Sequence, residues 1–472
     1  MKWLFLIISY TTPFLLYAQE HRSEQNDTST TDSSIHSLHQ FLKGGKFFAH
    51  ARSFTMVTVN QKDLTDYGAW GLGAGIGYES AKFKGLQFAV SGFFINNTLS
   101  SDLTKRDPQT QTLSRYELSL FDITDPENKN DLDRLEELYL KYHFKKSAVT
   151  YGKQYLNTPY INQQDGRMRP TMEKGLWLEV NEIKNIKLQA GWINRMSPRS
   201  TVKWYDIGNS IGLYSVGINE EGTASGFKGN LQTKGIAVFN AQWQHQQFVK
   251  IQFWNYWVEN IFNTAMIQTD AAIPFNKKSG HQLLLGLQFT RQNKSGNGGN
   301  EDITKAYVRP GYKSYSISSR AGIKLNTTTL LANYTRITAH GRYLFPREWG
   351  RDPFYTFLPR ERNEGLGNVH AFVFSAQYQP KAKNWQVLIA GGWYDVPPVT
   401  DYKLNKYSMP SYYQLLTDLR YQFKGFLKGT SMRFIYLYKG NLEKEVVQQR
   451  NIINKVNMHH FNFIIDYWFG KE

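Results

Sequence analysis

The chain has no cysteine among its 472 residues. That excludes a disulfide-stapled scaffold. It also excludes a lipid-anchored lipoprotein, which needs a cysteine at its cleavage point. Nor is there an internal apolar run long enough to cross a bilayer as a helix, which takes about 20 residues. One of the longest candidates, Val387 to Trp393, is broken by Gly391 and Gly392. Apolar character is low throughout, with a mean hydropathy of −0.51. Acidic residues are short too, 39 against 56 basic ones, so the formal charge is +17. Such a field favours anionic solutes or anionic lipid headgroups as partners, and it says nothing about fold.

Aromatic residues, in contrast, are abundant: 12 Trp, 29 Tyr and 30 Phe. A soluble protein would hide that surface in a core of Leu and Val. A transmembrane barrel uses it in girdles at the membrane–water interfaces while its lumen stays polar. The first residues agree with export. Lys2 supplies a positive n-region, Trp3 to Tyr10 a short apolar h-region, and Ala18 a small residue before Gln19. Residues 1–18 therefore read as a signal peptide. Residues 19–40, rich in Ser, Thr, Asp, Asn and Gln, read as a flexible periplasmic lead-in. An exported chain rarely meets nucleic acid, so no nucleic-acid partner is expected.

From residue 41 to 472 one pattern repeats: about ten residues of alternating polarity, then turn chemistry. Trp70, Leu72, Ala74, Ile76 and Tyr78 alternate with four glycines, Gly71 to Gly77. Phe461, Phe463, Ile465, Tyr467 and Phe469 form the greasy side of the last such stretch. Side chains in a strand change face at every residue, so each stretch has one apolar and one wetter side. A soluble sandwich would alternate as well, and the connections separate the two. Short turns such as 145–147, 181–185 and 380–384 alternate with long connections such as 96–134, 195–233 and 338–367. An up-and-down barrel sorts its loops in this way. The expected fold is all-β: a transmembrane antiparallel up-and-down β-barrel of about 18 strands, or 16 as next choice, in the outer membrane.

Several segments resemble the OprD-type family of outer-membrane porins, over most of the chain. They are Leu86 to Phe94; Tyr151-Gly152-Lys153 with Thr158-Pro159 and the run Asp165-Gly166-Arg167-Met168-Arg169-Pro170; Glu259 to Asn263; Arg342 to Gly365; and Asp418 to Tyr421 followed by Ser431 to Tyr436. The resemblance implies an 18-stranded barrel that takes up small carboxylate-bearing nutrients along a ladder of lumenal arginines. It also implies that the run carrying Arg167 and Arg169 belongs to a constriction loop. Ile435 departs from the pattern, standing where a second arginine would follow Arg433.

The residues themselves point to the same chemistry. Arg342, Arg347, Arg351, Arg360 and Arg362 lie among Tyr343, Phe345, Trp349, Phe354, Tyr355 and Phe357. Guanidinium forks bind carboxylates bidentately, and the aromatics offer packing that would fold such a loop into the mouth. The alternative is a surface loop whose arginines pair with Glu348, Asp352, Glu361 and Glu364. Strand parity assigns His50, Arg52, Lys141, Lys153, Lys187, Lys250, Arg320, Lys324, Arg420 and Arg433 to the lumen, since a midplane cation facing lipid costs about 2–4 kcal/mol. The expected solute-guiding set is Arg52, Lys153, Arg167, Arg169, Arg320, Arg347, Arg351, Arg360, Arg420 and Arg433.

No catalytic, metal or cofactor site is expected. The acidic loop from Asp122 to Asp133 lacks the glycine and terminal glutamate of an EF-hand loop. His459 and His460 fall on opposite faces of one strand. The reading is a passive porin for small anionic or zwitterionic solutes (amino acids, small peptides, organic acids). Its other expected partners are outer-membrane lipid and the barrel insertion machinery. The alternatives are a barrel enzyme, lipase or protease, and a structural or adhesive barrel with a plugged lumen, which bulky lumenal residues would betray.

Overall fold

The computed structural model describes residues 37–164, 166–276, 280–443 and 447–470. The expected signal peptide and nearly all of the expected lead-in lie outside the described residues. The last lead-in residues run into a short helix, α1 (Leu38–Lys43), capped by Ser37, whose Oγ accepts from the Gln40 amide at 3.2 Å. No described helix is long and apolar enough to cross a membrane.

The alternating stretches become strands because each offers one apolar and one polar row to a two-faced sheet. In order they are β1 (Lys46–Val59), β2 (Tyr67–Glu79), β3 (Leu86–Ser100), β4 (Arg134–Phe144), β5 (Ser147–Gln154), β6 (Met172–Val180) and β7 (Ile186–Ser197). A two-residue stub follows, β8 (Tyr205–Asp206), hydrogen-bonded to the end of β7. Then come β9 (Ile236–His245), β10 (Val249–Val258), β11 (Phe262–Asn276), β12 (His281–Lys294), β13 (Lys313–Leu325) and β14 (Thr328–Ile337). The last are β15 (Val369–Tyr378), β16 (Trp385–Asp395), β17 (Tyr412–Gln422), β18 (Thr430–Asn441) and β19 (Met458–Phe469). Apart from the stub, eighteen strands close an antiparallel barrel, with β7 paired to β9 and β1 to β19. Closure satisfies every ladder inside the wall, which a bilayer demands.

Two strands outrun their expected ends. β3 was expected at 85–95 and continues to Ser100, and β11 was expected at 260–271 and continues to Asn276. In β3 the apolar alternation stops at Asn96-Asn97-Thr98, while the ladder to β2 goes on past a bulge at Trp70/Gly71. Hydrogen-bonded pairing needs no apolar face once the chain has left the lipid. The loop rhythm also holds, with two exceptions: 60–66 and 259–261 are short connections at the long-loop end.

The outer wall is an apolar band. Leu140, Tyr151, Ile267, Leu287, Phe374, Ile389 and Leu415 are all more than half or nearly half exposed. Inside, the glycine face of β2 is explained by close packing. A Cβ on Gly73 or Gly75 would collide with the Phe93 ring, and one on Gly77 with Phe48. Inward aromatics therefore occupy the room those glycines leave, and Trp177, Trp254, Tyr256, Tyr394 and Tyr412 are likewise buried.

Candidate functional site in the barrel lumen

Residues directly opposite each other on an antiparallel ladder share a face, so one row per strand defines the inside. On β1 the row runs through His50, Arg52, Phe54, Met56 and Thr58. On β19 it runs through His460, Asn462, Ile464 and Asp466. At the closing seam Arg52 Nε donates to Asp466 Oδ1 at 2.6 Å, and Arg52 Nη1 donates to the Arg167 carbonyl at 2.8 Å.

Three connections fold inward and meet. The loop 155–171 is fixed by Arg169, which ion-pairs with Glu136 on β4; Glu136 also takes Arg134 Nη2 at 2.9 Å. The Arg169 guanidinium lies over the Phe93 ring at 3.9 Å, so the glycines of β2 set its position through Phe93. The loop 338–368 is pinned across the lumen. Leu344 N donates to Gln292 on β12, Tyr355 N to Ser318 on β13, and Thr356 Oγ1 lies 2.8 Å from Thr335 Oγ1 on β14. Gln414 on β17 donates to the Pro359 carbonyl, and Arg360 donates to His460 and Asn462 on β19. The two loops join where Asn162 N donates to the Trp349 carbonyl at 3.1 Å and Arg351 N to Asn162 Oδ1 at 3.1 Å. Of the aromatics expected to hold the loop, Phe345 and Trp349 pack edge-on against each other, and Phe345 packs against Tyr160, Tyr256 and Phe262. From the connection 101–133, Glu117 accepts from Thr58 and Ser119 from Arg167.

This scaffold divides the expected residues into two groups. Arg52, Arg167, Arg169 and Arg347 are at most 8% exposed. Each is tied down: Arg52 by Asp466, Arg167 by Ser119, Arg169 by Glu136, and Arg347 by Glu364 at 3.3 Å. Arg320, Arg351, Arg360, Arg420 and Arg433 are half-buried on the lumen side of the wall or on the loop. Arg420 and Arg433 share Asp418, at 3.2 and 2.6 Å. Ile435 is directly opposite Asp418 in register. Arg320 lies over the Tyr355 ring at 4.3 Å.

Charge connects the second group. Burial first, and then the positive fields of Arg433 and Arg420, lowers the Arg351 guanidinium to about 10. Burial and then Arg199 lower Arg360 to about 9. Arg167 is pushed well below its usual value by burial, Arg360 and Arg199. Arg351 and Arg360 stay protonated at neutral pH, so the loop adds positive charge beside Arg420 and Arg433 on the wall.

Lys153 was expected in the lumen and is not there. It is opposite Leu138 of β4, which is 50% exposed to the outside, and its Nζ rests over the Trp204 ring at 4.6 Å. The backbone at Gln154 ends the strand and the register with β4 decides the face, so alternation within β5 alone could be read either way. The other lumen assignments hold: Lys187 pairs with Glu179 at 3.4 Å, and Lys250 is opposite Asp270. Sequence reading missed Arg199 and the acids Glu136, Asp418 and Asp466, which decide which arginines are neutralised. Asp418 and Asp466 were legible as inward residues from their parity. Arg199 comes from a loop and carried no signal. Among the described residues no group of three His, Cys, Asp or Glu side chains is arranged to hold a metal ion. Asp122 instead receives the Thr124 amide and hydroxyl.

The geometry has close counterparts among known proteins. The family model for the OprD-family outer membrane porin matches residues 42–358. Pseudomonas aeruginosa OpdK, solved with vanillate, superimposes with a TM-score of 0.69 at 11% identity, covering 91% of this chain and 99% of its own. Acinetobacter baumannii OccAB3 gives 0.69 at 15% identity, covering 91% and 100%. Pseudomonas aeruginosa OccK3 (OpdO) gives 0.65 at 14% identity, covering 92% and 97%. No curated protein sequence matches the chain. With its closed eighteen-strand wall and inward-folded loops, the chain belongs to the OprD family of outer-membrane porins.

Proposed function

We propose that this porin gives passive passage to small carboxylate-bearing solutes and carries out no chemistry of its own. One observation carries the reading: the half-buried arginines Arg351, Arg360, Arg420 and Arg433 lie near enough to feel one another's charge, with Arg320 half-buried on the same inner side of the wall. Half-buried charges are screened less than exposed ones, so such a cluster acts together on a passing solute. Guanidinium forks suit carboxylates, and the Tyr355 and Phe357 rings of the inward loop lie beneath the Arg320 and Arg351 guanidiniums. Arg52, Arg167, Arg169 and Arg347 contribute as the frame that holds the loops, through Asp466, the Ser119 hydroxyl, Glu136 and Glu364 respectively. That one structural neighbour was solved with vanillate, a carboxylate, fits this reading. Export through a cleaved leader at residues 1–18 completes it.

Reversal potentials across a planar bilayer in a salt gradient test the proposal. The refolded protein is expected to prefer anions, and small carboxylates should pass better than amines of similar size. Cation selectivity would leave the open barrel standing and remove the carboxylate reading.

A further inference from the structure

Lys153 belongs to a row on the outer wall. It is directly opposite Lys174 on β6, and Lys174 is directly opposite Arg195 on β7. Paired residues on an antiparallel ladder share a face, with Cα atoms about 4.5–5.5 Å apart, so three cations stand side by side. All are within a few residues of the strand ends that carry the long loops. Like charges in register repel, which makes the arrangement costly unless an anion sits on it.

The face is the lipid side. Two residues further into the wall, the next row on the same face is Tyr151 and Leu176, 57% and 47% exposed. A strand rises about 3.3 Å per residue and tilts by about 35–45° in a barrel, so the cations stand about 5 Å above that apolar row. That is the level of lipid headgroups, where aromatic and basic anchors collect. Trp204, with its indole N–H on the Leu135 carbonyl at 3.1 Å, holds the Lys153 ammonium over its ring. The nearest acid in register, Asp206, is opposite Arg195 but accepts from Asn209 N and Nδ2, both at 2.9 Å. Among the described residues, none of the three cations has an ion pair within 4 Å.

From this we infer that Lys153, Lys174 and Arg195 form a binding patch for the phosphate of an anionic lipid in the outer leaflet. Its acyl chains would run down the band beside Tyr151 and Leu176. Phosphate accepts from ammonium and guanidinium groups alike, and its charge removes the repulsion along the row.

The test uses the refolded chain in neutral detergent and native mass spectrometry. The probes are bisphosphorylated lipid A, the same lipid with its phosphates removed, and inorganic phosphate. The wild type should bind the phosphorylated lipid and lose most of that binding when the phosphates are absent. The Lys174→Gln/Arg195→Gln double variant should bind it about 10–30-fold more weakly, with conductance and heat-modifiable migration unchanged. The single Lys174→Gln variant, with one charge removed, should fall between. Equal binding by wild type and variants would overturn the proposal, as would equal binding of the dephosphorylated lipid. So would complete displacement by equimolar inorganic phosphate, which marks a free-phosphate site, or a change of oligomeric mass in the variants, which marks a contact between copies.

Discussion

Arg52 on β1 and Asp466 on β19 form a buried ion pair across the seam where the first and last strands of the barrel meet, directly opposite each other in the ladder. His50 Nε2 adds a contact to the same carboxylate at 2.8 Å, and the Arg52 guanidinium continues to the Arg167 carbonyl. The pair therefore joins barrel closure to the placement of an inward loop. Removing the acid would take the Asp466 charge away from the buried Arg52 guanidinium, and breaking a buried pair in this way costs about 3–5 kcal/mol. Asp466→Asn is expected to lower the temperature at which the folded band shifts on unboiled gels. An unchanged transition would show that the seam does not depend on this charge.

Asp418 is the natural control on selectivity, because its single negative charge is shared by Arg420 and Arg433. Asp418→Asn removes a negative charge from beside both guanidiniums and should move the reversal potential towards anions. Arg433→Glu with Arg420→Glu should move it towards cations. Both shifts should shrink as salt rises, since the Debye length falls from about 10 Å at 0.1 M to about 3 Å at 1 M. Ile435→Arg adds a guanidinium opposite Asp418 and should strengthen anion preference in the same recording.

Phe463 and Phe469 face outward from the last strand, 39% and 62% exposed. An acidic side chain on the lipid face costs up to about 2 kcal/mol, and the last strand must also pair with both β18 and β1. Phe463→Asp/Phe469→Asp should sharply reduce the fraction of chain inserted into lipid vesicles, as read by protection from added protease. Full protection would remove this role for the aromatic row.

Gly73 tests the link from wall to loop. A valine there would push Phe93, and with it the Arg169 guanidinium stacked on that ring. Overpacking of this kind costs about 1–3 kcal/mol. Gly73→Val is expected to lower stability and alter single-channel conductance together, because Arg169 holds the loop 155–171 through Glu136. Gly73→Ala, with a single added methyl, should show the same effects more weakly.

Local chemistry alone carried the architecture. Polarity alternating every second residue, broken by turns, placed all eighteen barrel strands, because a lipid-facing wall leaves almost no freedom in which residues point outward. Where the chain leaves the bilayer that constraint lapses, and the ends of β3 and β11 ran past the pattern. The same logic gave the faces of Arg52, Arg320, Arg420 and Arg433 correctly. It failed at Lys153 because a short strand near the membrane surface can carry a cation on either face, and only the ladder to Leu138 decides between them. Sequence shows the glycines of β2 only as the small side of an alternating stretch; Gly73 and Gly75 make the hollow that Phe93 fills, a contact between different strands. Which acid meets which arginine was equally hidden. The answer depends on Glu136, Glu364, Asp418 and Asp466, acids brought to them by loop folding and barrel closure, and an ion pair is a property of distance in space.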